Sequence, residues 1–205
     1  MVLGLLAACS PGPDLPAQAF AGAPVTTATP AAAADIPRVI VDSILPIEEE
    51  IRRFRLNWPG TPVRLSGGAD SRDALVSQWV RAVEAADTAA LSAMHLTPQE
   101  FITLYYPFTQ YTRPPYRQKP QLVWFLLTSE SNKGLTRVLR RHGGQTLGFR
   151  GYTCPERPEA VGENRVWGGC TVRFGETGNT QEFRLFGPLI ERDGHWKFLG
   201  YGSDY

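Results

Sequence analysis

From Thr146 onward the chain is cut into strand-length pieces, whereas before that residue it reads with helical spacing. This division constrains the fold more than any other feature. Four segments, 146–154, 166–174, 181–191 and 195–201, are separated by the Gly, Pro and charged residues that punctuate strands. Asp193-Gly194 is a two-residue hairpin turn. Gly187-Pro188 falls inside the third segment and marks a bulge or bend, because proline cannot donate to a ladder. The intervening stretch 155–164 is rich in Pro, Gly and charge and reads as a loop.

The helical half is equally patterned. Ser71 is placed to cap a helix running to Ala86, with Leu75, Val76, Trp79, Val80 and Val83 as its apolar stripe. Asp87-Thr88 interrupts it, and 89–95 forms a second short helix. Thr97-Pro98-Gln99-Glu100 combines a capping Thr, Pro at the first helical position and Glu at the capping-box position. The helix it opens carries Phe101, Ile102, Leu104 and Tyr105 and ends before Pro107. Upstream, Glu48 to Arg55 has acids first and bases last, which suits a helix dipole, and Trp58-Pro59-Gly60 stops it. Residues 107–120 hold four prolines and form an irregular loop. Two further helices are expected, Pro120 to Leu127 and Lys133 to Arg141. Helices followed by an antiparallel meander give an α+β domain, with helices packed on one face of a curved antiparallel sheet of about four strands.

The N-terminus carries location rather than chemistry. Leu6-Ala7-Ala8-Cys9 ends a short apolar run that begins at Val2, and residues 10–37 are dominated by Ala, Pro, Thr and Gly. Such a composition cannot bury enough surface to offset its ordering entropy and reads as a semi-extended tether. The arrangement resembles the lipobox of bacterial lipoproteins. The resemblance implies a signal peptide, 1–8, and an acylated (palmitate-type) Cys9 that heads a disordered tether, 9–37. It also implies a bacterial cell-envelope location, and Ser10 leans toward the outer membrane facing the periplasm. No apolar run approaches the roughly 20 residues that cross a bilayer, so the expected membrane link is lipid.

Three cysteines are present, and lipidation of Cys9 leaves Cys154 and Cys170 as a pair. Antiparallel strands on either side of the 155–164 loop bring the two within bonding reach. In an oxidising compartment this predicts a disulfide, the alternative being two free buried thiols. No His lies near either cysteine in sequence, so no metal site is expected.

The order of elements is similar to that of the NTF2-like, cone-shaped α+β superfamily. The long helix ending at Asp87 and the final strand Gly194-His195-Trp196-Lys197-Phe198 after a tight turn carry the likeness. The resemblance covers roughly 70 to 205 and makes 38–205 a single domain, with 38–69 an N-terminal extension. It implies a pocket between helices and concave sheet, and it spans both enzymes and non-catalytic binding domains.

Candidate chemistry is sparse. Asp87 is the one weak catalytic candidate, and its position suits a cap or turn better. Glu100 is accounted for as a capping-box partner. The three His residues show no metal-ligand spacing, and no nucleophile elbow or phosphate loop occurs. Tyr105, Tyr106, Tyr111, Tyr116 and Trp124 crowd a proline-rich loop and could rim a site for a ligand, or simply pack that loop. Arg137, Arg140 and Arg141 read as a solvated basic face. With 21 basic and 20 acidic residues there is no drive toward nucleic acid. The expectation is therefore a membrane-tethered exported lipoprotein whose domain binds a small apolar ligand or an envelope protein without catalysis and without a cofactor. The alternative is an isomerase- or dehydratase-like enzyme acting in the cone pocket. A homodimer through the sheet face is a further expectation.

Overall fold

The computed structural model describes residues 45–176 and 178–202, so the signal peptide and tether expected over 1–37, Cys9 included, lie outside the described residues. Five α-helices precede seven strands: α1 (Ile47–Asn57), α2 (Arg72–Glu84), α3 (Thr88–Met94), α4 (Pro98–Glu100) and α5 (Pro120–His142), then β1 (Phe149–Thr153), β2 (Glu159–Val161), β3 (Asn164–Trp167), β4 (Thr171–Glu176), β5 (Asn179–Phe183), β6 (Leu189–Arg192) and β7 (His195–Phe198). The class is α+β, compatible with an NTF2-like arrangement. The strands form two antiparallel sheets, β1-β4-β5 and β2-β3-β6-β7.

The sequence's four strand segments resolve into six of these strands for a physical reason. Gly168-Gly169 divides the second segment into β3 and β4, and Gly187-Pro188 divides the third into β5 and β6. At both breaks the chain leaves one sheet and joins the other. The stretch read as a loop, 155–164, contains β2, which pairs with β3 in register Ala160↔Arg165. The second sheet's hairpin is thus inserted between β1 and β4 of the first.

Cys154 and Cys170 sit at the base of that insertion. They lie one step beyond the Thr153↔Thr171 pair of β1 and β4. Their sulfurs are 2.04 Å apart, a disulfide distance. The Asp193-Gly194 turn behaves as its sequence requires, both residues holding positive φ (53° and 80°) between β6 and β7.

The starts of α2, α3 and α4 follow their caps. Ser71 Oγ accepts the Ala74 amide at 3.1 Å, and Asp87 Oδ1 accepts the Ala90 amide at 2.9 Å. The capping box at Thr97 is complete. Its helix is brief, however. After α4 the chain widens into a π-helical turn over Phe101–Tyr105 and tightens into 3₁₀ turns over Tyr106–Phe108 and Gln110–Thr112. The two helices expected after Pro120 are one. The Thr128–Asn132 run between them has weak helix propensity. Tertiary contacts override it: Ser131 and Gly134 are buried, and Ser131 Oγ accepts the Tyr201 amide at 2.9 Å.

The second sheet lies between two apolar clusters, and strand alternation sorts residues between them. Trp167, Leu189 and Phe198 face the cluster built on α2 and α3, which holds Leu75, Val76, Trp79, Val83 and Leu91. Val166 and Ile190 face the other cluster, with Phe54 of α1, Phe101, Ile102, Tyr106 and Val123. Arg72 at the start of α2 links both sheets. Its guanidinium lies 5.7 Å from the ring centroids of Tyr152 and Trp196 and 5.8 Å from that of Trp167. These are cation–π distances.

Candidate functional site

A groove of about 310 Å³ opens between the turns after α4, the N-terminal half of α5 and the residues that follow β7. Tyr105, Tyr111 and Gln118 form one wall. Val123, Leu126, Leu127, Glu130 and Ser131 of α5 form the second. Pro188, Leu199, Gly200 and Gly202 close the third.

The loop wall is held by hydrogen bonds that its own sequence supplies. Buried Tyr106 donates its hydroxyl to the Gln118 carbonyl at 2.5 Å. The Gln118 amide donates to the Tyr111 carbonyl at 2.8 Å. Asn164 Nδ2 donates to the Leu104 carbonyl at 2.6 Å, which ties the β2–β3 hairpin to the π-helical turn. The π-helical turn thereby presents Tyr105 to the groove, while Phe101 beneath it packs on Tyr105, Tyr106 and Trp124.

The aromatic residues read from the sequence therefore divide. Tyr105 and Tyr111 line the groove. Tyr106 and Trp124 sit behind it against Phe101, with ring centroids 5.5 and 5.0 Å away. Tyr116 is exposed and packs edge-on against Tyr111 at 6.3 Å.

The electrostatics of the groove favour neutral groups. Burial, with Glu159 and Tyr111 as unfavourable neighbours for a phenolate, pushes the Tyr105 phenol up to about 12. Burial likewise raises Tyr106 to about 12, with Glu50 adding to it. Glu130, at the rim, is held below the usual carboxylate range by the Lys133 ammonium 2.8 Å away. The chain matches no family model, no curated protein and no solved structure.

A smaller cavity of about 180 Å³ meets the groove at Ser131. His95, Thr128, Asn132 and Tyr201 also line it. His95 Nδ1 lies 2.7 Å from the Leu96 carbonyl, an acceptor, so that nitrogen carries the proton. Nε2 is buried without a hydrogen-bond partner among the described residues. Burial lowers the His95 pKa, the Leu96 carbonyl opposes this, and Lys197 and Glu100 pull in opposite directions. Sequence reading passed over His95 because no partner lies near it in the chain; its neighbours Trp124 and Tyr201 come from distant elements, 6.2 and 5.6 Å away.

Asp87 stands elsewhere. Its carboxylate caps α3 and borders a separate, more open depression of about 520 Å³ with Gln78, Arg81 and Met94. His195 is hydrogen-bonded to Asp70 and to the Gly67 carbonyl, far in sequence but brought beside β7 by the Ala69↔Trp196 bridge. Among the described residues no group of three or more His, Cys, Asp or Glu side chains converges as a metal site.

Proposed function

We propose that this chain is an exported protein, held on a membrane by lipid at Cys9, whose folded domain binds an apolar ligand non-catalytically in the groove beside α5. The observation that carries the binding reading is the groove's lining. Leucine, valine and proline side chains supply much of its surface, and burial keeps the Tyr105 phenol there a neutral hydrogen-bonding group. A concave apolar site with few polar groups is the usual form of a small-molecule pocket, and its volume sits near the lower end of the usual range of about 300–1,000 Å³. Asp87, the candidate acid–base residue of the enzymatic alternative, caps a helix outside this groove.

Phenylnaphthylamine, which brightens in apolar surroundings, tests the groove. Gly202 lines it, and an added Cβ there meets nothing within 4 Å, so Gly202→Trp places a large side chain at the groove's edge with no clash at Cβ. The full chain is expected to bind the dye and Gly202→Trp to lose at least tenfold in affinity. Equal binding by both would overturn the reading. The anchor has its own test. Mass spectrometry of the membrane fraction should find Cys9 acylated and residues 1–8 removed, and Cys9→Ala should release the protein. Unmodified Cys9 in a chain that retains residues 1–8 rejects that part alone.

A further inference from the structure

We infer that the exposed face of α5's N-terminal half, with the loop before it, docks on an anionic lipid bilayer. Leu122, Phe125 and Leu126 are 47%, 62% and 48% exposed. Their i, i+3, i+4 spacing puts them on one side of the helix. Tyr116, 51% exposed, extends the apolar surface from the loop. Loop and helix share a side, because Tyr111, which packs on Tyr116, lines the same groove as Leu126.

Charge selects the partner. From Phe101 to Ser129 the chain contains no Asp or Glu, and its only cations there are Arg113, Arg117 and Lys119. Arg113 and Arg117 are exposed and form no ion pair among the described residues. The Lys119 side chain is 68% exposed and only grazes Glu50 at 3.9 Å. The next acid, Glu130, is taken by Lys133. Apolar side chains flanked by unneutralised cations suit the interface of an anionic membrane, where acyl chains take the first and headgroups the second. A second copy of this chain suits the face less well. A two-fold contact would bring two sets of the same three cations together, at a repulsive cost. The inference does not depend on the groove holding a ligand, nor on acylation.

The test uses the full chain carrying Cys9→Ser, which cannot be acylated there, and vesicles of phosphatidylcholine with or without phosphatidylglycerol. Co-sedimentation should be stronger with phosphatidylglycerol and should weaken with salt. Leu122→Ser/Phe125→Ser should lower binding at least tenfold. Arg113→Gln/Arg117→Gln should remove about fivefold per cation from binding to the anionic vesicles only. Both pairs are exposed, so unfolding midpoints should hold. Binding indifferent to these variants, or to phosphatidylglycerol, overturns the inference. So does a dimer by light scattering that Leu122→Ser/Phe125→Ser returns to monomer, since the face would then be a self-interface. Dye binding lost in Gly202→Trp with no vesicle binding in the parent would reject docking and leave the groove reading intact.

Discussion

Lys197 and Glu100 meet inside the protein, Nζ to Oε2 at 2.8 Å, with each side chain 1% exposed. Every strong hydrogen-bonding direction of the carboxylate is used. Oε1 accepts the Ser66 amide at 2.7 Å and Oε2 the Thr97 amide at 2.8 Å, while Lys197 also donates to the Ser66 carbonyl at 2.7 Å. The pair joins β7, the start of α4 and the segment before α2. Its partners are unequal. Removing Lys197 leaves a carboxylate still holding two amides; removing Glu100 leaves an ammonium with one carbonyl. Breaking a buried pair costs about 3–5 kcal/mol. Lys197→Met is therefore expected near the low end and Glu100→Met near the high end in urea unfolding, with the double variant costing less than the sum. A Glu100→Met variant as stable as the parent would remove the pair from the account of the fold.

The same carboxylate sets an acid limit. Burial pulls the Glu100 pKa up, but the Lys197 hydrogen bond and the Thr97 and Ser66 amides more than reverse this and hold it below its ordinary 4.5. A depressed folded pKa means the unfolded chain takes the proton first. The stabilisation is thus present above about pH 4.5 and lost as pH falls through the lower folded value. Unfolding midpoints should decline in that window, and the decline should be shallower in Glu100→Gln. Parallel pH profiles would count against it.

Cys154 and Cys170 are 16 residues apart and close a loop around the β2–β3 hairpin. A cross-link of this span contributes about 3 kcal/mol by restricting the unfolded chain. Protein purified without reductant should show no reactive thiol at these positions. Reduction, or Cys154→Ala/Cys170→Ala, should lower stability by about that amount. Alkylation of both thiols in native material would instead establish two free cysteines.

How much of this was readable beforehand depends on whether the deciding contacts were local. The capping box at Thr97, the caps at Ser71 and Asp87 and the Asp193-Gly194 turn are satisfied within a few residues, and each was legible in the sequence. The unbroken α5 was not, because the group that secures its weak middle, the Tyr201 amide on Ser131, lies 70 residues away. The exchange of strands between two sheets was hidden for the same reason, since Gly168-Gly169 and Gly187-Pro188 mark a bend without saying which sheet the chain joins next. At the groove, residue type pointed to Tyr105 and Tyr111. Type alone could not separate them from Tyr106 and Trp124, which pack behind them, and it offered no cue to Leu126 or Gly202.

His95 should make stability sensitive to pH nearer neutrality. Its pKa is lowered from 6.5, chiefly by burial, so the folded state prefers the neutral ring. The unfolded chain protonates first as pH drops. Stability is then complete above about pH 6.5 and falls as pH descends toward the folded value. A proton-detected titration of the His95 ring should show its midpoint below that of an exposed histidine, and His95→Gln should flatten the loss in unfolding free energy between pH 7.5 and 5.5. A His95 midpoint at or above 6.5 would falsify the assignment of a neutral buried ring.

Trp79 tests which property of a large side chain the main core requires. It is fully buried in α2 and meets Phe186 edge-on, with ring centroids 5.2 Å apart. Its indole Nε1 is buried with no hydrogen-bond partner among the described residues. Two opposed costs follow. Removing the ring leaves a cavity, so Trp79→Ala should lose about 3–5 kcal/mol. Trp79→Phe also leaves space, but it removes a donor whose unmet desolvation costs about 1–3 kcal/mol. The phenylalanine variant should therefore keep most of the stability in urea unfolding, and its near-ultraviolet dichroism should stay native-like. If it fell as far as alanine, the indole nitrogen would have a partner in solution, a buried water being the simplest, and packing alone would not explain the choice of tryptophan at the centre of α2.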